Sequence, residues 1–507
     1  MTIAGARKNR VVDAYAAARE EVDAMFEDLD ALGATSHVEV GKRIRAALER
    51  IGVNAYQGYL DKLLEAERRE VPSWPRPAGS EVRERARELE TELGRVTVRR
   101  HGYRLAGEDS ARFPLDEALN LPAELYAFAL RERVADEASA GSFDRTVNQV
   151  DRTTAGHVPK RQSEALAIRA SRDFEEFYAG REPPANDALS SNALQVMSAD
   201  CKGVTMRPEA LRDATRKEGE IAKASAVRGD PTGRRKVRRN DKRMAVVTAV
   251  WEQERFVRTP ADVLDRLGRD PKGRARKPRA TKAPRPQNKR LAASVKDSLA
   301  VGIAKMFDEA QRRNRGQDRE TVVLVDGDEH QLAHIEAEAS RREMRVLIVL
   351  DLLHVLHYVW TIGMLLSTAD ERAAEAWTTR TLEQLLTKHP LDVVAAIRQT
   401  ATLRGLTGED RRALDDAVEY LHKNSIYIHY ARYLTQGLPI ATGVIEGACR
   451  HLVQDRMGLT GARWGLDGAE AVLKLRAIRT SGDWEAYWAF HLEREHARNH
   501  PEAFHGA

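Results

Sequence analysis

The sequence predicts an α/β core preceded by a mainly helical N-terminal region. Between residues 194 and 350, short apolar runs alternate with amphipathic helical patterns, as in α/β proteins whose sheet contains parallel strands. Residues 11–70 and 114–179 instead carry apolar side chains at helical spacing in segments rich in Ala, Glu, Arg and Leu. Helical patterns return from Leu352 onward. A chain of 507 residues has room for two to four such domains.

The first 105 residues predict helices followed by a short β-structure. Helices are expected within residues 11–70, either as a dimerisation arm or as a layer that caps the same chain. The cluster of Pro72, Pro75, Pro77 and Gly79 marks a boundary. A helix is expected over residues 82–93, and the alternation over residues 95–105 predicts a hairpin or edge strands.

Two short helices and a turn follow within residues 142–177. The first ends near Val150, a Gly-containing turn spans residues 153–159, and the second begins with Lys160 and Arg161. This order is typical of a helix-turn-helix, in which Lys160 and Arg161 would contact DNA. An ordinary αα-hairpin produces the same pattern.

Four strands are predicted in the α/β core, and three of them end at an Asp. They cover residues 194–199 before Asp200, 244–252, 321–325 before Asp326, and 346–350 before Asp351. Helices are expected over residues 291–312 and 331–341. The apolar run over residues 346–366 is interrupted by charged or polar residues at its centre, so we expect a buried strand entering a helix and no membrane span.

The positive charge of the chain is concentrated in one part of it. The whole chain has 82 Lys+Arg against 77 Asp+Glu, but residues 201–300 have 28 against 12. Two loops hold most of the excess, and phosphate contact is its favoured use, with a solvated surface loop as the alternative. The representative basic residues are Arg235, Lys236 and Arg238 in the first loop, and Arg274, Arg276, Lys277 and Arg279 in the second.

Two cysteines exclude a disulfide framework and a four-thiolate zinc site, and no signal peptide opens the sequence. We therefore expect a cytosolic protein without a membrane partner.

Asp200, Asp326 and Glu446 are candidate metal ligands. The two Asp residues sit at predicted strand ends, where open α/β sheets bind ligands. Glu446 lies in a predicted helix, on one face with Arg450 four residues later. Carboxylates without a Cys/His cluster suit Mg²⁺ or Mn²⁺, and two such ions would promote phosphoryl transfer on a nucleic-acid backbone. Strand-end Asp residues also serve as helix N-caps, and Glu446 would also suit a simple ion pair.

Four segments resemble the catalytic core of bacterial insertion-sequence transposases of the ISKra type, a DDE-class family with an RNase H-like core. The resemblance extends from about residue 114 to residue 500, and the last segment, continued through residues 482–491, is the most specific. The segments are residues 194–206 (LQVMSADCKGVTM), 322–328 (VVLVDGD), 346–360 (VLIVLDLLHVLHYVW) and 443–464 (GVIEGACRHLVQDRMGLTGARW).

The resemblance implies that Asp200, Asp326 and Glu446 form the catalytic, metal-binding triad for two Mg²⁺ or Mn²⁺ ions. It also implies a supporting role for Asp351 and His354, and Asp351 is the rival of Asp326 as second ligand. Further DNA contacts are expected from charge and position. Lys202 and Arg450 would approach the scissile phosphate, and Arg463 would position DNA ends together with Trp464, which would either stack on DNA or pack in the core.

The patterns and the resemblance divide the chain into six regions. They are a helical N-terminal region (1–75), a DNA-binding region with the helix-turn-helix (76–180), the first part of the RNase H-like core with its basic loops (181–365), an all-α insertion (366–436), the last catalytic helix and core completion (437–480), and a C-terminal tail (481–507).

The function implied is a bacterial, cytoplasmic transposase that acts on nucleoid DNA. It would bind the double-stranded terminal repeats of its own element, cleave there, and join the freed 3′-hydroxyl to target DNA as a homodimer or larger assembly. One alternative is an RNase H-like nuclease or resolvase without strand transfer. Another is a domesticated DNA-binding regulator that performs no chemistry.

Overall fold

The computed structural model describes residues 13–74, 81–104, 111–182, 189–220, 241–267, 283–315, 318–368 and 370–500. The chain forms two compact units. The first comprises Met1–Ala179 and Asp483–Ala507, and the second comprises Gly180–Gly482. The C-terminal segment, which the sequence predicted as a separate tail, is therefore part of the first unit.

Two helices open the described part of the first unit: α1 (Ala16–Asp30) and α2 (His37–Glu70). Ser36 caps α2 by accepting a hydrogen bond from the Glu39 amide, 3.3 Å away. The two helices pack on each other, and α2 also packs on the following hairpin. The predicted helices of this region are confirmed.

A two-stranded hairpin follows, made of β1 (Val82–Thr91) and β2 (Gly94–Tyr103). The antiparallel register runs from Val82 opposite Tyr103 to Thr91 opposite Gly94. The prediction of a helix over residues 82–93 was wrong. Glu and Arg favour helices when isolated, but pairing with β2 and burial of Leu89 outweigh that preference.

After the hairpin, the described residues of the first unit are mainly helical. Helices α5 (Phe143–Thr153) and α6 (Lys160–Ala170) pack on α4 (Phe128–Ala140) around a core that includes Leu130, Val150 and Leu166. The single helix predicted from Lys160 toward residue 177 is two helices, because the chain turns between residues 171 and 173. The helices are α3 (Pro114–Ala118), α4 (Phe128–Ala140), α5 (Phe143–Thr153), α6 (Lys160–Ala170) and α7 (Phe174–Gly180), with the last helix of the chain, Trp484–Asn499, closing the unit.

The second unit contains a five-stranded mixed sheet, which confirms the predicted α/β class. The strands are β3 (Leu194–Thr205), β4 (Lys242–Gln253), β5 (Gln287–Ser294), β6 (Thr321–Val325) and β7 (Val346–Leu350). Their order in the sheet is β5-β4-β3-β6-β7. Neighbours among β3, β4 and β5 are antiparallel, and β6 and β7 run parallel to β3.

Two predictions about this sheet need correction. Asp200 does not end β3, since the strand continues five residues further to Thr205 while it pairs with β4. The helix predicted over residues 291–312 begins only at Leu299, because residues 287–294 pair with β4 as β5.

Helices cover the sheet and form the insertion. Before the insertion lie α8 (Pro260–Arg266), α9 (Leu299–Arg313), α10 (Glu329–Arg341) and α11 (Leu352–Leu366). Residues 366–436, where the structure describes them, contain only helices and turns: α12 (Glu371–Thr387), α13 (Pro390–Leu403), α14 (Gly408–Lys423) and α15 (Tyr430–Thr435). After it come α16 (Gly443–Ala448), a π-helical turn (Cys449–Gln454), α17 (Asp455–Met457) and α18 (Leu466–Ser481); the last helix of the chain is α19 (Trp484–Asn499).

The long apolar run over residues 346–366 is β7 followed by α11, with Asp351 between them. Across the described ranges, no helix combines the length and the apolar character needed to cross a membrane.

Candidate active site

Asp200 lies on β3, and Asp326 directly follows the neighbouring strand β6. The parallel pairing of β3 with β6 has Ser198 opposite Leu324 as its last pair, and each Asp lies two residues further on. Neighbouring strands are about 4.8 Å apart, and residues two apart along a strand share a face of the sheet. The register therefore brings the two residues next to each other where β6 ends, and the charge of Asp200 acts on the Asp326 carboxyl.

Asp351 directly follows β7, the strand next to β6, and both of its carboxylate oxygens are engaged. Its side chain is fully buried, and its amide donates to the Val325 carbonyl at 2.8 Å. Its Oδ1 accepts from the Thr442 amide at 3.0 Å, and its Oδ2 lies 2.7 Å from Nδ1 of His354. Asp351 thus caps α11 and fixes the chain that leads into α16. Its complete burial, in contrast to the partly exposed Asp200, suits a supporting residue better than a metal ligand.

His354 is half-buried beside these carboxylates. Its hydrogen bond to Asp351 raises the imidazole pKa, burial opposes this, and the charges of Asp351, Asp326 and Asp200 raise the pKa further. His354 thus adjoins the candidate site through its hydrogen bond to Asp351.

Asp326 is held by its own turn. Its Oδ1 accepts from the Asp328 amide at 3.0 Å, and Asp328 in turn caps α10. Burial raises the pKa of the Asp326 carboxyl, the Asp328 amide and His354 lower it, and the like charges of Asp200 and Asp328 raise it again. Such repulsion between carboxylates is the condition that a bound divalent cation relieves.

The helix that carries Glu446 reaches Asp200 through Cys449. The Cys449 thiol donates to Oδ2 of Asp200 at 3.2 Å, and Cys449 lies one helical turn after Glu446. The π-helical turn begins at Cys449, and turns of this kind recur at functional sites because they re-aim side chains. Glu446 itself is exposed.

The ligand set fits a hard cation in part. Asp200 and Asp326 offer carboxylate oxygens, which Mg²⁺ and Mn²⁺ prefer. Within the described ranges, the group of three His, Cys, Asp or Glu ligand atoms that lie within 4.8 Å of one another is Asp173, His491 and Glu495, so the three carboxylates of the predicted triad are not gathered that tightly. The Asp pair is therefore the part of the triad that the register brings together.

The Asp173 group belongs to the first unit and is neutralised by arginines. Arg498 donates to both oxygens of Asp173 at 2.7 Å, and Nδ1 of His491 lies 2.6 Å from Oδ2. Glu495 accepts from Arg498 and pairs with Arg172. This set is an ion-pair network whose oxygens are already satisfied.

The basic candidates of the second unit differ in exposure. Lys202 is exposed two residues after Asp200, and Arg463 is exposed before Trp464. Arg450 is exposed and lies 3.8 Å from Asp455. Trp464 is 6% exposed and donates from Nε1 to the Met457 carbonyl at 3.2 Å, which agrees with the core-packing alternative for its ring.

In the first unit, Lys160 and Arg161 are both exposed at the start of α6. Lys160 lies 2.7 Å from Asp144, an exposed pair of the kind that contributes little free energy. The remaining basic candidates lie outside the described residues: Arg235, Lys236, Arg238, Arg274, Arg276, Lys277 and Arg279.

Two residues at the site were missed by the sequence analysis. Cys449 had a signal, because a residue three positions after Glu446 shares its helical face. Tyr420 had none, because it lies 94 residues from Asp326, whose carbonyl accepts its hydroxyl at 2.5 Å.

The chain was also compared with known proteins. Neither a family model nor a curated protein matches it. Its function is therefore inferred from its own residues and their arrangement.

Proposed function

We propose that the protein is a DDE-type transposase that binds the ends of its own element, cleaves DNA there with metal-dependent chemistry, and joins the freed 3′-hydroxyl to target DNA. The observation that carries the proposal is the adjacent placement of Asp200 and Asp326 on parallel strands, with the Glu446 helix touching Asp200 through Cys449. The mixed five-stranded sheet and the helical insertion are compatible with an RNase H-like core of this class.

In this proposal Asp200, Asp326 and Glu446 would hold two Mg²⁺ ions, which would supply the Lewis acidity needed to activate a water or a 3′-hydroxyl and to stabilise the leaving oxygen. Asp326 brings a carboxylate whose position is set by the Asp328 amide, and Asp200 one whose Oδ2 is fixed by the Cys449 thiol. The Glu446 side chain is exposed on the same helix, from which it would complete the ligand set as DNA and cations bind.

Lysine and arginine side chains would hold the DNA backbone. Lys202 follows Asp200 by two residues on β3, so it projects from the same face of the sheet toward the backbone of a bound strand. Lys160 and Arg161 at the exposed start of α6 would contact the element ends as part of a helix-turn-helix. Phosphate contacts of this kind make binding fall steeply with salt.

The direct test uses the DNA that flanks the gene. Purified protein with Mg²⁺ is expected to cut a duplex that carries the flanking repeat and to join its 3′ end to a second DNA. Cleavage without joining would favour a nuclease or resolvase. Binding that is unchanged in EDTA, with no cleavage in Mn²⁺, would favour a regulator.

A further inference from the structure

The helical insertion contacts the turn that carries Asp326. The hydroxyl of Tyr420, on α14, donates to the backbone carbonyl of Asp326 at 2.5 Å. The carboxylate of Asp326 accepts from the Asp328 amide at 3.0 Å. The main chain of Asp326 is thus held from the insertion, and its side chain is held from its own turn.

The turn is also closely packed against Tyr420. Gly327 has φ +90°, a conformation that favours glycine, and a Cβ there would lie 2.9 Å from Oη of Tyr420 and 3.0 Å from Cδ1 of Leu350. The hydroxyl therefore fills the space beside the turn. A movement of α14 would displace the backbone of Asp326 through this contact.

Tyr420 is itself fixed in place. Its ring stacks on Tyr358 of α11, with centroids 3.7 Å apart and planes 16° from parallel. Further along the same segment, Tyr427 donates to Glu336 of α10 at 2.7 Å, away from the Asp326 turn.

We infer that Tyr420 is a positioning residue through which the helical insertion holds Asp326 in the geometry needed for cation binding. The inference rests on the proposed function, because it assumes that Asp326 is a ligand. Tyr420 lies 94 residues after Asp326 in the sequence, so the helical insertion would take part in positioning a ligand that is distant along the chain.

Loss of the single hydrogen bond to the Asp326 backbone should lower the affinity of the site for Mn²⁺ without abolishing binding. Tyr420→Phe keeps the stacked ring and removes only the hydroxyl. We expect Mn²⁺ to bind to the full-length variant three- to tenfold more weakly, in line with the contribution of a single hydrogen bond. Tyr427→Phe is the matched control, and we expect its Mn²⁺ affinity to stay within twofold of the wild type.

The experiment measures Mn²⁺ binding by electron paramagnetic resonance for the wild type, both Tyr variants and Asp326→Asn. Hydrogen exchange of the peptide covering residues 321–332 provides a second readout, and it should rise in Tyr420→Phe alone. Gly327→Ala adds a Cβ that would crowd the Tyr420 hydroxyl and displace the turn. This variant should therefore also bind Mn²⁺ more weakly. Thermal unfolding of each variant checks that it is folded.

The outcomes separate this inference from the proposed function. Wild-type Mn²⁺ affinity and hydrogen exchange in Tyr420→Phe, together with weak binding in Asp326→Asn, would overturn the role of Tyr420 alone. Unchanged Mn²⁺ binding in Asp326→Asn would overturn the metal site and the inference with it.

Discussion

The thiol of Cys449 lies 3.2 Å from Oδ2 of Asp200 and joins the π-helical turn to the strand that carries the first candidate ligand. Burial and the charge of Asp200 raise the pKa of this thiol, so it stays protonated and donates. One short contact thus orients a carboxylate and brings the Glu446 helix to the sheet.

The first prediction concerns the reactivity of the two thiols. Burial and the charge of Asp200 raise the pKa of the Cys201 thiol to about 11, from 9.0. The same two causes raise the pKa of the Cys449 thiol further. Since the thiolate is the nucleophile, iodoacetamide at pH 8 should modify Cys201 roughly a hundredfold more slowly in the native protein than after unfolding. Peptide mass spectrometry over time measures both rates, and Cys449→Ser isolates Cys201. Equal rates of Cys201 modification in the native and the unfolded protein would contradict the raised pKa of its thiol.

The second prediction concerns the buried ion pairs of the first unit. Although burial opposes it, the hydrogen bonds from His491 and Arg498 lower the pKa of Asp173 to about 2, from 3.8. A lowered carboxyl pKa stabilises the folded state above about pH 4, and this stabilisation, about 2 kcal/mol, is lost as the pH falls toward 2. Asp173→Asn should lose that pH dependence and cost about 3–5 kcal/mol at pH 7.

Urea unfolding at a series of pH values measures the effect of Asp173→Asn. The control is Asp144→Asn, which breaks an exposed pair with Lys160 and should change stability by less than about 1 kcal/mol. Similar losses in the two variants would show that the Asp173 network contributes nothing beyond a surface pair.

The third prediction concerns Glu470, a buried carboxylate on α18 that receives the end of β5. It accepts from the Ser294 hydroxyl at 2.9 Å and from the Val295 and Lys296 amides at 3.0 and 3.2 Å. Glu470→Ala leaves these donors without their acceptor and should destabilise the protein by about 2–4 kcal/mol. Thermal unfolding measures this loss, and Glu470→Gln, which keeps one acceptor oxygen, should cost less. Equal stability of Glu470→Ala and wild type would refute the role of this carboxylate.

The fourth prediction compares two glycines of α2. A Cβ at Gly58 would lie 2.3 Å from the Ala14 carbonyl oxygen, whereas a Cβ at Gly41 meets nothing within 4 Å. Gly58→Ala should therefore destabilise the protein by about 1–3 kcal/mol through overpacking. Gly41→Ala should stabilise it by about 0.5–1 kcal/mol, because alanine is the better helix former. Chemical unfolding of both variants decides, and the same sign of change in both would be inconsistent with this packing.

The sequence could predict the strands that end where an Asp interrupts an apolar run. Both β6 and β7 have the predicted bounds, because Asp326 and Asp351 each follow a run of five residues, which is the length of a strand and too short for a typical helix. Two strands were missed, β1 as a helix and β5 as the start of one, because their helix-favouring residues form strands only through pairing with a partner elsewhere in the chain.

The candidate site was also predictable only in part. Local pattern put Asp200 and Asp326 at the ends of predicted strands, and the register of β3 with β6 places the two residues next to each other. It could not show that β3 continues past Asp200, because the extension depends on the register with β4. It could not find Tyr420 either, because no periodicity connects a residue in the insertion to the Asp326 turn.

The proposed function requires Asp200, Asp326 and Glu446 to act together in metal-dependent DNA cleavage. The decisive measurement is cleavage of a labelled flanking-repeat duplex in Mg²⁺ by Asp200→Asn, Asp326→Asn and Glu446→Gln, alongside binding of the same DNA. We expect each variant to lose at least a thousandfold in cleavage rate while its DNA affinity stays within threefold of the wild type. Wild-type cleavage by any one of the three would contradict the assignment of that residue, and by all three would contradict the proposed function.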